Sequence, residues 1–166
     1  MEKKPFVTVD LEDYNDGLHI EKGGYSSIGS AWWLLNTLDE HGIKAVFYIL
    51  GKFAKEYPKI VQEIWESGHI VKSHGENHYR HEKADRKPYS WLGFTGGFYF
   101  RFFPLWFTKW NIRRKGFMYV HPHDLDQHHP RLKNRLMNWK RHVGLKTARR
   151  KFERLLREVS FASARD

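Results

Sequence analysis

Apolar and polar positions alternate in blocks along the first half of the chain. "PFVTVD" is a short apolar run that reads as a buried strand ending at Asp10. In "SSIGSAWWLLNTLDEHG", Ile28, Trp32, Leu35 and Leu38 recur at helical spacing; Ser26 or Ser27 can cap the start, and Gly42 follows as a stop. "KAVFYIL" is a second strand. "PKIVQEIWESG" is a second helix, with Pro58 in its first turn and Gly68 at its end. "HIVKS" is a third strand. Strand, helix, strand, helix, strand implies a parallel sheet with crossover helices. Functional groups in such sheets gather at the C-terminal ends of the strands.

The second half is less regular. "HYRHEKADRKPYSWLG" is polar and loop-like. "FTGGFYFRFFPLWFTKW" is dense in aromatics, with a turn expected at Gly96-Gly97. The first expectation for these rings is core; the alternative is a surface that stacks on sugars or meets a membrane interface. "GFMYVH" is a strand ending at His121, "RLKNRLMNWKRHVG" and "TARRKFERLLRE" are helices, and "SFAS" reads as a final short strand. No fixed-period repeat or linker divides the chain, so a single domain over residues 1–166 is expected.

Composition narrows the chemistry. Hydrophobic residues at 40% and aromatics at 16% fit a globular protein. Cysteine is absent, which excludes disulfides and thiolate metal sites and leaves His, Asp and Glu as strong ligands. A formal net charge of +10 favours polyanions or anionic membrane surfaces as partners. Much of that charge lies in residues 131–157, where it reads as two solvated helix faces. No nucleic-acid-binding motif accompanies it, so no nucleic-acid partner is expected. The N-terminal stretch lacks the apolar run of a signal peptide, and no window approaches a membrane span. The expected location is cytoplasmic, with any membrane contact at the inner surface.

"SHGENHYR" places His74 and His78 four apart, just past the third strand. Asp10 ends the first strand and should share the same sheet edge. "DLEDY" offers Asp10, Glu12 and Asp13 there. Two histidines and one carboxylate leave open positions for water, the layout of a hydrolytic zinc site. A second carboxylate beside them can take the proton of that water.

Together "TVDLEDY", "SHGENH", "RKPY" and "YVHPHDLD", in that order, resemble the motifs of the polysaccharide deacetylases, carbohydrate esterase family 4. The exopolysaccharide-associated branch is the nearest in pattern. Its first motif reads Asp-x-Glu-Asp-aromatic, and a His-Pro element precedes a helix like "VGLKTARRKFERLL". The resemblance covers residues 5–163. It implies an α/β fold, a distorted (β/α) barrel. Only seven residues separate His78 from Arg86, so the barrel is expected to be incomplete, lacking about one strand–helix unit, with the aromatic run folded over the gap.

The resemblance also implies roles. Asp10 matches the catalytic base, His74 and His78 the metal-binding histidines, and Glu12 or Asp13 the metal carboxylate. Side-chain alternation favours Glu12 if the strand continues; a break favours Asp13. Arg86 matches the arginine that holds the base, Tyr89 the residue whose backbone N–H binds the oxyanion, and His121 the general acid. The implied activity is hydrolysis of the N-acetyl group of an amino sugar in a polysaccharide or glycan precursor, with one divalent metal ion, zinc by expectation. The implied partner is an acetylated amino-sugar glycan, with membrane-surface or lipid-linked glycan contact as a further expectation. The alternative is a weak or inactive relative that binds a glycan or a partner. No acidic residue lies between Asp85 and Asp124, so the usual carboxylate behind His121 has no evident match, and Asp124 or Asp126 are the substitutes. His81, His123, His128 and His129 read as surface residues. Arg101 lacks the Arg-x-Pro spacing of "RKP".

Overall fold

The computed structural model describes residues 4–14, 26–76 and 94–163. Its centre is a parallel sheet of four strands. Strand β1 (Phe6–Leu11) is followed by helix α1 (Ile28–Glu40), strand β2 (Val46–Ile49), helices α2 (Gly51–Glu56) and α3 (Pro58–Glu66), and strand β3 (Ile70–Ser73). The aromatic run forms α4 (Gly97–Phe102) and α5 (Leu105–Lys115), which lead into strand β4 (Phe117–Val120). A 3-10 turn (Pro122–Leu125), α6 (Arg135–His142) and α7 (Leu145–Glu158) complete the described order.

The strand order is β3-β2-β1-β4, with every pairing parallel. Asp10 is in register with Tyr48, and Val9 with Val120, so the C-terminal ends of β1, β2 and β4 lie along one edge. Among the described residues the sheet does not close: β3 and β4 are its two outer strands. This is a parallel α/β sheet, open among the described residues, as the expectation of an incomplete barrel requires.

Val7, Val9 and Leu11 are fully buried in the core, where α1 adds Leu34, Leu35 and Leu38. Helix α7 covers the sheet with Ala148, Phe152, Leu155 and Leu156 from its apolar stripe and keeps Arg150, Arg154 and Arg157 outside.

Three expectations change. "SFAS" forms no strand; the Ala162 N–H donates to the Pro5 carbonyl at 2.7 Å, beside the start of β1. The short helix α2 was not legible, because six residues with one buried side chain show no periodicity. The aromatic run packs against β4 and α7, at the opposite sheet edge from β3. It is not mainly core. Phe100 is buried, whereas Phe94, Phe102, Trp106 and Trp110 are exposed. Two short helices cannot turn every ring toward one core face, and the surplus meets solvent.

Gly96 shows how closely α4 approaches the sheet. A Cβ there would lie 1.9 Å from the Tyr119 carbonyl oxygen. The approach brings α4 and its Arg101 against the end of β4.

Candidate active site

Alternation along β1 points Val7, Val9 and Leu11 into the core and leaves Asp10 and Glu12 on the opposite side. Both carboxylates are nearly inaccessible to solvent. The His74 backbone N–H is bonded to the Ile49 carbonyl at 3.0 Å, so the residue after β3 is pinned to the end of β2. The next residues are held too: Gly51 and Lys52 donate backbone N–H bonds to the carbonyls of Gly75 and Glu76.

These strand ends bring four side chains to one point. His74 Nε2 lies 3.6 Å from a Glu12 oxygen and 3.8 Å from Asp10 Oδ2. His121 Nε2, one residue past β4, lies 3.6 Å from the other Glu12 oxygen and 3.7 Å from Asp10 Oδ2. Metal–ligand bonds of about 2.0–2.2 Å in a tetrahedral site set ligands about 3.3–3.6 Å apart, close to these separations. Nitrogen and oxygen donors facing one another beyond hydrogen-bond length, on buried side chains, fit a divalent ion.

Asp13 faces elsewhere with one oxygen. Its Oδ1 accepts from the backbone N–H of Ser27 at 2.7 Å and of Tyr14 at 3.0 Å, tying the end of β1 to the start of α1. Beside it the Tyr14 hydroxyl donates to Asp126 Oδ2 at 2.6 Å, and burial raises the Tyr14 pKa.

The carboxylate behind His121 is Asp124. Its Oδ2 meets His121 Nδ1 at 2.9 Å and accepts from the His121 backbone N–H at 3.2 Å, while its Oδ1 accepts from Arg101 at 2.5 Å. All three residues are largely withdrawn from solvent. Burial opposes a charge on His121. The hydrogen bond and charge of Asp124, with Glu12 and Asp10 beyond, outweigh it and push the pKa up to about 9. Burial works equally against the Asp124 charge, but His121 and Arg101 hold that carboxyl well below the usual range.

Two histidines expected at the surface are buried instead. His123 stacks on His121 with ring centroids 4.6 Å apart, and His129 lies edge-on to Tyr14 at 4.8 Å. Burial holds both pKa values down, most strongly for His123. His128 is exposed as expected. Ligand atoms of His121, His123 and Asp124 come within 4.8 Å of one another. Asp124 is already occupied on both oxygens, so this trio orients His121 and is not a second metal centre. Arg101 was set aside for lacking the arginine-motif spacing, yet it is the cation that fixes Asp124. The three-residue spacing in "HPHD" was the available signal for the pair; nothing local points to Arg101.

His78, Arg86 and Tyr89, together with His81, lie outside the described residues.

Residues 24–90 match the family model described as Polysaccharide deacetylase. Residues 84–166 match a Domain of unknown function (DUF3473). Strands β2 and β3 of the first stretch and β4 of the second share one sheet, joined through β1, which precedes both stretches. A peptidoglycan-N-acetylglucosamine deacetylase of Bacillus cereus is 34% identical over 56 residues, covering 34% of this chain and 20% of that protein. A chitooligosaccharide deacetylase of Rhizobium leguminosarum bv. trifolii is 36% identical over 45 residues, covering 27% of this chain and 21% of that protein. The chain thus spans 20% and 21% of the length of these two relatives. Among solved structures, a mutant CE4 family pseudoenzyme with restored enzymatic activity aligns at a TM-score of 0.50 and 11% identity, over 95% of this chain and 64% of that one. At that identity the likeness is one of fold.

Proposed function

The chain belongs to the polysaccharide deacetylase family, with a domain of unknown function (DUF3473) in its second half, and we propose that it hydrolyses the N-acetyl group of an amino sugar in a polysaccharide or glycan precursor, using one divalent metal ion. The observation that carries this reading is the convergence of His74 and His121 on the same two carboxylates, Asp10 and Glu12, at 3.6–3.8 Å. Glu12 and His74 are assigned as metal ligands, and His78 joins them on the strength of the resemblance alone. Asp13 is assigned to holding the start of α1. Zinc is the proposed metal, because imidazole and carboxylate donors suit it and no thiolate is available.

When bound, the ion supplies a polarised acetyl carbonyl and a water of lowered pKa. Asp10 would serve as the base that accepts a proton from the attacking water. His121 presents Nε2 to the same space while Asp124 holds Nδ1. A protonated ring can therefore donate from Nε2 to the sugar nitrogen as the C–N bond breaks. Arg101 holds Asp124 and so fixes the ring plane. Arg86 and Tyr89 keep the roles that the resemblance gives them, orienting the base and binding the oxyanion.

The test joins elemental analysis of the purified protein with acetate release from N-acetylated chito-oligosaccharides. Asp10→Asn should retain metal and fold and lose acetate release. An active Asp10→Asn protein overturns the assignment. Stoichiometric metal with no turnover on any acetylated glycan favours a relative that binds without catalysis.

A further inference from the structure

Outside His121 the surface opens into a groove that contains cations the proposed reaction does not use. It encloses ≈ 320 Å³, with Phe98, Tyr119, His121, Met137, Lys140 and Arg141 among its lining residues. Lys140 and Arg141 come from the last turn of α6, and Arg141 is half-buried. Burial pulls the Arg141 pKa down; Asp124 and Glu12 act on it through space and oppose that shift. Neither is its ion-pair partner. Both Asp124 oxygens are engaged by Arg101 and His121, and among the described residues no carboxylate forms a salt bridge with Arg141 or Lys140. The surrounding sequence adds no acidic residue, since residues 127–152 contain no Asp or Glu.

A guanidinium that is partly withdrawn from water and forms no ion pair with a described carboxylate gains from meeting an anion. Its planar fork suits the two oxygens of a carboxylate or phosphate. The wall beside it is aromatic: the Tyr119 ring lies edge-on to His121 at 5.9 Å, and Phe98 stacks on Phe102 at 5.4 Å. Rings next to cations match a ligand made of a sugar and an acidic group.

We infer that this groove receives an acidic substituent, carboxylate or phosphate, carried by the glycan next to the N-acetyl group, with Arg141 as its binding residue and Lys140 adding charge. The inference rests on the deacetylase reading for the orientation of that glycan. It predicts an acidic amino-sugar substrate in place of a neutral chitin-like one. A carboxylate would come from a uronic acid neighbour and a phosphate from a nucleotide- or lipid-linked precursor.

The experiment measures binding by calorimetry and acetate release in parallel. The probes are tetra-N-acetylchitotetraose (neutral), a hyaluronan tetrasaccharide (carboxylate) and UDP-N-acetylglucosamine (phosphate). At least one acidic probe should bind about tenfold more tightly than the neutral one, a difference of about 1.4 kcal/mol. The margin should shrink as salt rises. Arg141→Gln should remove most of it and leave chitotetraose binding unchanged, and Arg141→Lys should restore part. Which acidic probe responds identifies the source of the anion. Lys140→Gln should narrow the margin less, and it serves if Arg141→Gln does not fold. Equal binding of all three probes overturns the inference, as does equal loss across probes in Arg141→Gln. If no probe releases acetate from the metal-loaded protein, the deacetylase reading fails separately, and the binding arms still decide the groove.

Discussion

His121 and Asp124 stand three residues apart, one before and one within a single 3-10 turn, and their side chains meet at 2.9 Å. The turn begins at Pro122, which fixes the backbone as the chain leaves β4. In the metal-free protein, histidine NMR should find His121 titrating near 9, and Asp124→Asn should lower that value toward the ordinary range. The sign for stability follows. A folded pKa above the unfolded one stabilises fully below about pH 6.5, and that contribution is lost as pH rises through about 9. Asp124→Asn should flatten this part of the pH–stability curve. An unchanged His121 titration would remove Asp124 from its role.

The two carboxylates that end "DLED" should separate cleanly. Glu12→Gln and His74→Ala should each lower bound metal sharply, measured by elemental analysis. Asp13→Ala should leave metal in place and lower the melting temperature instead, since two backbone N–H groups lose their acceptor at a cost of about 1–3 kcal/mol. Loss of metal from Asp13→Ala with none from Glu12→Gln would reverse the assignment.

Two glycines should respond in opposite directions. At Gly96 an added Cβ meets backbone, the Tyr119 carbonyl at 1.9 Å, and neither element can yield without moving α4 off β4. Gly96→Ala should cost about 1–3 kcal/mol or more. At Gly29, in the first turn of α1, a Cβ meets nothing within 4 Å, and Gly29→Ala should stabilise by about 0.4–1 kcal/mol. Thermal melts of both variants check the close approach of α4 to the sheet.

Helix α5 exposes Trp106 and Trp110 beside Arg113 and Arg114, with the Arg114 guanidinium 5.0 Å from the Trp110 ring. Tryptophan and arginine together suit the headgroup level of an anionic membrane. The protein should co-sediment with phosphatidylserine-containing vesicles, less so as salt rises, and Trp106→Ala with Trp110→Ala should release it. Equal sedimentation of the double variant, or retention on purely zwitterionic vesicles alone, would set the membrane contact aside. No described helix is long and apolar enough to cross a membrane.

The pattern along the chain places the sheet and the edge where its candidate site residues gather. Strands β1, β2, β3 and β4 and helices α1, α3 and α7 are legible because each depends on spacing within a few residues: a pleated apolar run, an i, i+3, i+4 stripe, a glycine or proline at the right end. Asp10, His74 and His121 were therefore placed at strand ends before any contact was known. What the chain pattern could not supply was burial, which depends on which distant element covers a residue. His123 and His129 look polar in "HPHDLDQHH" and are buried because the chain after β4 folds back over β1 and Tyr14. The rings of α4 and α5 look like core and are partly exposed because α7 already covers the sheet. Side-chain alternation favours Glu12 and a strand break favours Asp13; tertiary contacts add that Asp13 Oδ1 is engaged at the start of α1 while Glu12 faces His74. Arg101 carried no local signal for Asp124, and only the packing of α4 against the end of β4 brings them to 2.5 Å. Periodicity is a short-range property of the backbone. Charge pairing and exclusion of water are long-range, and tertiary structure alone decides them.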